Sequence, residues 1–392
     1  MNAGALREER LKNLIDATSF VEPKKVPVTV EMGGWTYTYV GTTYAEVIDH
    51  PKRAADDYLK FLDVIEIDCM RGGPATVPIK AYQALGRNDY SIADDGIATQ
   101  HQQAFEEYMR DDEYPDLIRD PAGFMRKWGL RKYESLSKPR EEAYEDIKKA
   151  LIDYKNFMMT TMMIRKRMEN EKGVVWFDGR SAPVGYYTPL SGLFSYYRGV
   201  KNTLLDLRRK PEVLREACSA LMQIVKARIG THDPGVPMSP FPFGFAGYHP
   251  EGFLSPEQFD EFFFNNFKEL CMPFMEAGLK FFIQGEGSFI HHVDRYRQLP
   301  KGSCYIMLDD DDPFEIYKVI GDWQPIGAGI TIELLSYGTK QDCVDYVKKC
   351  FDTFAPGGGF VFRTSKPIMC ATDAKIENVV AVYETANELS RQ

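Results

Sequence analysis

No stretch of the 392-residue chain approaches the roughly 18 to 20 consecutive apolar residues of a membrane span, so no membrane partner is expected. No apolar core follows the charged start MNAGALREERLKN, so no secretory leader is expected either. The seven cysteines are an odd number and include no CxxC pair and no zinc-finger spacing. That excludes a disulfide framework and makes a reducing cytoplasm the expected setting. The glycines Gly357–Gly359 are not followed by Gly-Lys-Ser/Thr, so they do not form a phosphate loop. Asp309–Asp312 lack the spacing of an EF-hand. Lys and Arg number 48 against 57 Asp and Glu, a net charge of −9, which leaves no electrostatic footprint for nucleic acid. There is no low-complexity segment and no internal repeat beyond an alternation of strand-like and helix-like segments.

What is present is 44% hydrophobic content, enough for one large core. Short apolar runs alternate with helix-period stretches, which is the signature of βαβ units and a parallel sheet. Eight segments read as strands: Pro27–Glu31, Val64–Asp68, Val174–Asp178, Pro240–Phe245, Phe281–Gln284, Cys304–Leu308, Pro325–Ile330 and Gly359–Phe362. Between them, Pro211–Ile229, Pro256–Ala277, Pro313–Ile320 and Thr339–Phe354 carry helical periodicity, and Gly278, Gly321 and Gly357 stand where helices should stop. This alternation predicts an α/β chain folded as a (β/α)8 TIM barrel, one domain over residues 1–392. The stretch between the second and third strands, about one hundred residues, is too long for a crossover loop. Residues 75–170 are expected to form a helical insertion that caps the barrel mouth or makes a subunit contact. Within it Ala104–Met109 and Arg140–Glu171 have helical periodicity, and Gly86–Gly96 is charged and turn-rich. The Met-rich run Phe157–Ile164 is either a packed helix or a flexible hydrophobic surface.

In such barrels the reacting groups sit at the C-terminal strand ends, which selects the residues to weigh. Glu31 ends the first strand, and two glycines then lead to Trp35, Tyr37 and Tyr39. That is a loop that walls a ligand with rings, or one that packs on the rim. Asp68 ends the second strand and either orients substrate and moves protons or caps the next loop, with Arg71 near enough to pair with it. Asp178, Arg180 and Tyr187 follow the third strand; Tyr187 either donates to a substrate oxygen or covers core. His249 follows the fourth. The fifth ends in Gln284-Gly285-Glu286-Gly287, the pattern of a buried strand delivering one carboxylate to a mouth, and Cys370 lies in a loop after the eighth. Asp309 is the expected inward member of Asp309–Asp312, the others being solvated at a helix N-terminus. Arg363 and Lys366 flank the eighth strand end, as clamps for an anion or as solvated surface charges.

Several motifs occur in order: Ser181-Ala182-Pro183 with Tyr197–Gly199, Phe253–Phe259 opening a helix, the QGEG strand end, Ile326–Ile330 before Leu334-Leu335 and Gly338-Thr339, and Gly357–Phe360 with Glu377-Asn378. In that order they resemble the uroporphyrinogen decarboxylase superfamily, which includes the corrinoid-dependent methyltransferases. The resemblance covers nearly the whole chain and is densest after Ser181. True decarboxylases of this superfamily carry a run similar to Met-Arg-Gln-Ala-Gly-Arg at the first strand end, whose arginines pair with substrate carboxylates. Both arginines are absent after Glu31, which argues against uroporphyrinogen decarboxylation. Asp68 falls where those enzymes keep a central carboxylate facing substrate. Several of the methyltransferases carry His-x-Cys-Gly at the fifth strand end and another Cys after the eighth strand, and these bind a zinc that activates a thiol. Here Gln284 takes the His position, Glu286 the first Cys position, and Cys370 falls close to the last. A catalytic zinc needs three protein ligands. Glu286 and Cys370 would supply two, and His291, His292 or Asp309 the third. Otherwise Cys370 is a small buried side chain and His291-His292 a helix-face pair.

The resemblance implies a corrinoid-dependent methyltransferase. It would move a methyl group from a methylated small molecule, such as an aryl methyl ether, to the Co(I) of a cobalamin. The Asp-x-His-x-x-Gly pattern that would hold the corrinoid is missing, so the cofactor is expected on a partner corrinoid protein. Loss of the thiol-activating ligand pattern favours the demethylating half-reaction, in anaerobic one-carbon metabolism, and a homodimer follows by analogy. Two other readings stand beside it. One is a decarboxylase or other lyase on a small carboxylic acid, with Asp68 at its centre and Arg363 or Lys366 as clamp. The other is a non-catalytic barrel serving as a binding subunit.

Overall fold

The computed structural model describes residues 2–87, 89–97, 99–101, 109–177, 185–229, 243–247, 251–288 and 290–391. Eleven strands lie among them: β1 (Thr29–Glu31), β2 (Cys69–Arg71), β3 (Tyr90–Ile92), β4 (Thr99–His101), β5 (Val175–Trp176), β6 (Gly185–Tyr187), β7 (Phe243–Gly247), β8 (Lys280–Gly285), β9 (Cys304–Leu308), β10 (Ile326–Ala328) and β11 (Phe360–Phe362). Helices hold more residues than strands, so the chain is mixed α/β with helix predominating. No helix of the described residues is long and apolar enough to cross a membrane.

The chain divides into two compact units. The first is built from Met1–Gln102, Pro139–Asp178 and Pro325–Gln392, the second from Gln103–Lys138 and Gly179–Gln324. The segment 75–170 therefore contributes to both.

In the first unit β5, β2 and β1 pair in parallel, in that order, and β10 pairs in parallel with β11. Parallel bridges from Val28 to Phe362 and from Met32 to Ile368 set β11 beside β1. Val28, Val30, Phe360, Val361 and Phe362 are all buried, as parallel strands covered on both faces require. The N-terminal helix Ala3–Ala17 sends Arg10 to the start of β2. The helix Lys340–Phe354 opens on a reciprocal cap between Thr339 and Asp342, which satisfies two otherwise orphaned N–H groups.

The second unit carries β6, β7, β8 and β9 in parallel. Phe281, Phe282, Ile283 and the whole of β9 are buried, which is why these two strands read so plainly as unbroken apolar runs. Gly278, at φ +92°, turns the chain out of the preceding helix, a conformation that a side chain would strain.

The structure changes four expectations. The second strand is Cys69–Arg71, not Val64–Asp68, so Asp68 precedes its strand instead of closing it. The Asp68 N–H donates to the Val28 carbonyl and its carboxylate accepts from the Val28 N–H. This carboxylate bond stands in for a ladder bond at the strand start. Trp35–Tyr39 is a short helix, not a loop. The charged stretch near Gly86–Gly96 contains β3, which pairs antiparallel with β4. Finally β6, too short to read as an apolar run, joins β7. Of Ala104–Met109, all but Met109 lies outside the described residues.

Candidate active site

Register brings the first cluster together. Glu31 and Arg71 are the last residues of β1 and β2 and stand opposite one another. Glu31 Oε2 accepts from Arg71 Nη1 at 3.0 Å and from Arg363 Nη2 at 3.3 Å. Arg363 directly follows β11, which lies beside β1. Three neighbouring strands thus each deliver one charged group to the same point. Arg363 is only 3% exposed, so it is not a solvated surface charge. Arg71 pairs with Glu31 across the register and has no bond to Asp68. Two planar guanidinia meet one carboxylate in a largely enclosed place, and these charge-assisted hydrogen bonds fix the three groups relative to one another. Gly72, at φ +85°, takes a backbone conformation that a side chain would strain, although the space itself would admit one. A Cβ on Gly72 would meet Glu31 Cγ at 3.4 Å, and one on Gly73 would meet the Trp176 ring at 3.5 Å.

The aromatic residues after Glu31 go elsewhere. The helical turn Trp35–Tyr39 directs Trp35 Nε1 to the Ala374 carbonyl at 3.0 Å and Tyr37 Oη to the Ala54 carbonyl at 3.1 Å. Tyr37 is fully buried and stacks on Tyr44 at 5.8 Å between centroids. Burial first, then the Tyr44, Tyr58 and Asp57 groups, push its phenol well above the usual tyrosine range. Tyr39 is the exposed member. The start of this helix lies close against Ile97, which only a glycine allows: a Cβ on Gly34 would overlap the Ile97 carbonyl.

Asp68 sits at the other end of the sheet. Its Oδ1 accepts from Arg10 Nε at 2.9 Å and Lys25 Nζ at 2.8 Å, and Oδ2 from the Val28 N–H at 2.9 Å. Every one of these partners is on the first unit's own scaffold, so the group ties helix to sheet. Cys370 is half-buried. Asp373 Oδ2 accepts from its N–H at 2.7 Å and from the Met369 N–H at 2.8 Å, fixing a tight turn. Burial, then Asp373 and Asp95, push the Cys370 thiol up.

In the second unit β8 ends in Gln284 and Gly285, and Glu286 follows, half-buried. Gln284 stands opposite Met307 of β9. Asp309, also half-buried, is the first residue after β9. Asp311 was expected to be solvated, but it is buried and accepts from Ser288 Oγ at 2.6 Å, since the loop after Glu286 folds onto it. Asp312 is the solvated N-cap, accepting from the Phe314 N–H at 2.8 Å. Tyr187 ends β6 opposite Gly247 of β7. His291 is exposed, whereas His292 is buried with its ring flat on Phe259, 4.3 Å between centroids and 4° between planes. His249, Asp178 and Arg180 lie outside the described residues. The Tyr197–Gly199 motif proves to be scaffold: Arg198 Nε bonds Asp206 at 2.7 Å, and Tyr114 Oη reaches the same carboxylate at 2.7 Å.

Glu286 and Cys370 belong to different units. Among the described residues no three His, Cys, Asp or Glu side chains gather as a metal-ligand group. The described residues therefore do not furnish the three-ligand set of a catalytic zinc. The Glu31–Arg71–Arg363 trio was missed as a unit. The available signal was that two of its members end strands and the third follows one directly.

No family model matches the sequence, and no curated protein matches it. Among solved structures the chain is similar to a methyltransferase from Methanosarcina mazei, with a TM-score of 0.60 over 97% of this chain and 98% of that one. The two are 14% identical, so the likeness shows a shared fold.

Proposed function

We propose that this chain is a methyltransferase of the (β/α)8 type. It would take a methyl group from a methylated small molecule and pass it to Co(I) of a corrinoid carried by a partner protein. The observation that carries the reading is the likeness to a methyltransferase along nearly the full length of both chains. The sequence motifs that resemble corrinoid methyltransferases agree with it. The corrinoid, when a partner brings it, supplies the nucleophile. The residues of this chain have two tasks: to hold the donor in line, and to neutralise the group that leaves when the carbon–heteroatom bond breaks.

Two sets of residues are suited to the second task. In the first unit, Arg71 and Arg363, oriented by Glu31, would face a carboxylate on the donor or a phenolate leaving it. In the second unit, Glu286, the first residue after a buried strand, would give a proton to the leaving heteroatom. The lyase reading loses support because the Asp68 carboxylate is engaged by Arg10, Lys25 and Val28 at the start of β2.

The test uses free cob(I)alamin, purified protein and a panel of methyl ethers, thioethers and amines under anaerobic conditions. The expected result is protein-dependent loss of the Co(I) absorbance, matched one for one by demethylated product from at least one donor class. No turnover with any class, together with release of carbon dioxide from a small acid, would replace this reading with the lyase.

A further inference from the structure

β8 and β9 run in register as far as Gly285, which pairs with Leu308. Glu286 comes next, where the ladder has ended, and Gly287 follows at φ +68°. A glycine in that conformation turns the chain sharply. The direction of the Glu286 side chain therefore depends on what holds the chain beyond the turn.

Ser288 is what is held. Its Oγ donates to Asp311 Oδ1 at 2.6 Å, the length of a charge-assisted hydrogen bond. Asp311 stands as far beyond Leu308 as Ser288 stands beyond Gly285, so this contact keeps the register of the strands into both loops. Glu286 is fastened on both sides, by the ladder before it and by this bond after it. The turn Glu251–Phe253 backs the same point, since a Cβ on Gly252 would stand 3.0 Å from the Ser288 carbonyl oxygen. Asp311 is only 9% exposed, while its neighbours Asp310 and Asp312 are exposed. Burying a carboxylate is unfavourable unless hydrogen bonds offset the lost water, and Ser288 supplies one.

We propose, resting on the methyl-transfer reading above, that Asp311 is a positioning residue: through Ser288 it fixes the Glu286 carboxyl where the leaving heteroatom takes its proton. When the carbon–oxygen bond of a methyl ether breaks, the methyl goes to Co(I) and the electron pair stays on oxygen. Glu286 gives that oxygen its proton. A methylsulfonium donor leaves as a neutral thioether and takes no proton. The clamp therefore matters for the first donor and not for the second.

Ser288→Ala, Asp311→Ala and Ser288→Thr test this in two ways. The first needs no turnover. Amide hydrogen exchange at Glu286–Ser288 should quicken about tenfold in Ser288→Ala and Asp311→Ala, and return to the wild-type rate in Ser288→Thr, which keeps the hydroxyl. The second is kinetic. With cob(I)alamin and a methyl ether, kcat should fall about tenfold in the two alanine variants at unchanged KM, and recover in Ser288→Thr. With a methylsulfonium donor every variant should match the wild type. Glu286→Gln should show the same split between donors, and adding Ser288→Ala to it should lower kcat no further. Ser288 is exposed, so its variants remain decisive even where Asp311→Ala fails to fold. Unchanged exchange at Glu286–Ser288 overturns the proposal. So does a loss of kcat equal for ether and sulfonium, or one that adds to the Glu286→Gln loss. A wild type that demethylates no donor overturns the methyl-transfer reading instead, and the exchange result alone then decides whether Asp311 positions Glu286.

Discussion

The Arg363 guanidinium lies 3.3 Å from the Glu31 carboxylate and so joins the end of the last described strand to the end of the first. Arg71 closes on the same oxygen from the other side at 3.0 Å. A carboxylate held this way is an orienting group that fixes the planes of both guanidinia.

Arg363→Lys keeps the charge and loses the planar fork. If the pair grips an anionic donor, KM should rise about tenfold, roughly 1.4 kcal/mol, with kcat changed much less. Steady-state kinetics on a carboxylated methyl donor, beside its uncharged analogue, separates this from a general loss of folding. The analogue should show no such rise.

Asp68→Ala should damage the fold instead of the chemistry. It leaves Arg10 and the Val28 N–H without the carboxylate they share. Removing one partner of a buried charge pair costs about 3 to 5 kcal/mol. Urea denaturation should show that loss, and the activity remaining per folded molecule should match the wild type.

Gly329→Ala probes the strand end from behind. A Cβ there would overlap the backbone carbonyl of Arg363 and approach the Phe362 ring at 2.8 Å. Backbone cannot yield as a flexible side chain can, so the expected cost is about 1 to 3 kcal/mol. The displaced Arg363 should also raise KM for the anionic donor. A variant of wild-type stability with unchanged kinetics would show that the loop moves freely.

Acid stability has a local contributor in the second unit. Hydrogen bonds from Arg131 hold the Glu113 carboxyl below the usual glutamate value of about 4.5, against the opposing effect of burial. A carboxyl lowered on folding stabilises fully above its unfolded value, and that contribution is lost as pH falls through the folded value. Thermal melts between pH 6 and about 3 should therefore show Glu113→Gln less stable than wild type at pH 6, with the difference closing in acid.

Much of this fold was legible because it is written in unbroken apolar runs. Phe281–Gln284, Cys304–Leu308 and Gly359–Phe362 became strands, and Arg140–Glu171, Pro211–Ile229 and Pro313–Ile320 became helices with those bounds. The alternating segment Val64–Asp68 misled because its strand begins only after Asp68, whose side chain takes the Val28 N–H. The aromatic residues after Gly34 misled for a related reason. Trp35 and Tyr37 had partners waiting in Ala374 and Ala54, far off in sequence, and no local pattern announces such partners. The Glu31 trio is of the same kind: its charges are 40 and 332 residues apart and meet only through strand register. The Ile326–Ile330 motif gains a physical meaning, since Gly329 is the point where the strand end passes against the Arg363 carbonyl.

The first unit draws its strands from both ends of the chain, and β1 meets its neighbour β11 only through residues around Phe362. A ribosome working from the N-terminus exposes Val28 and Val30 long before that neighbour exists. The second unit, complete by Gln324, can fold while the first still waits. The apolar edge of β1 is thus an early liability during synthesis. Truncations that end before residue 360 should be the ones that aggregate or require a chaperone.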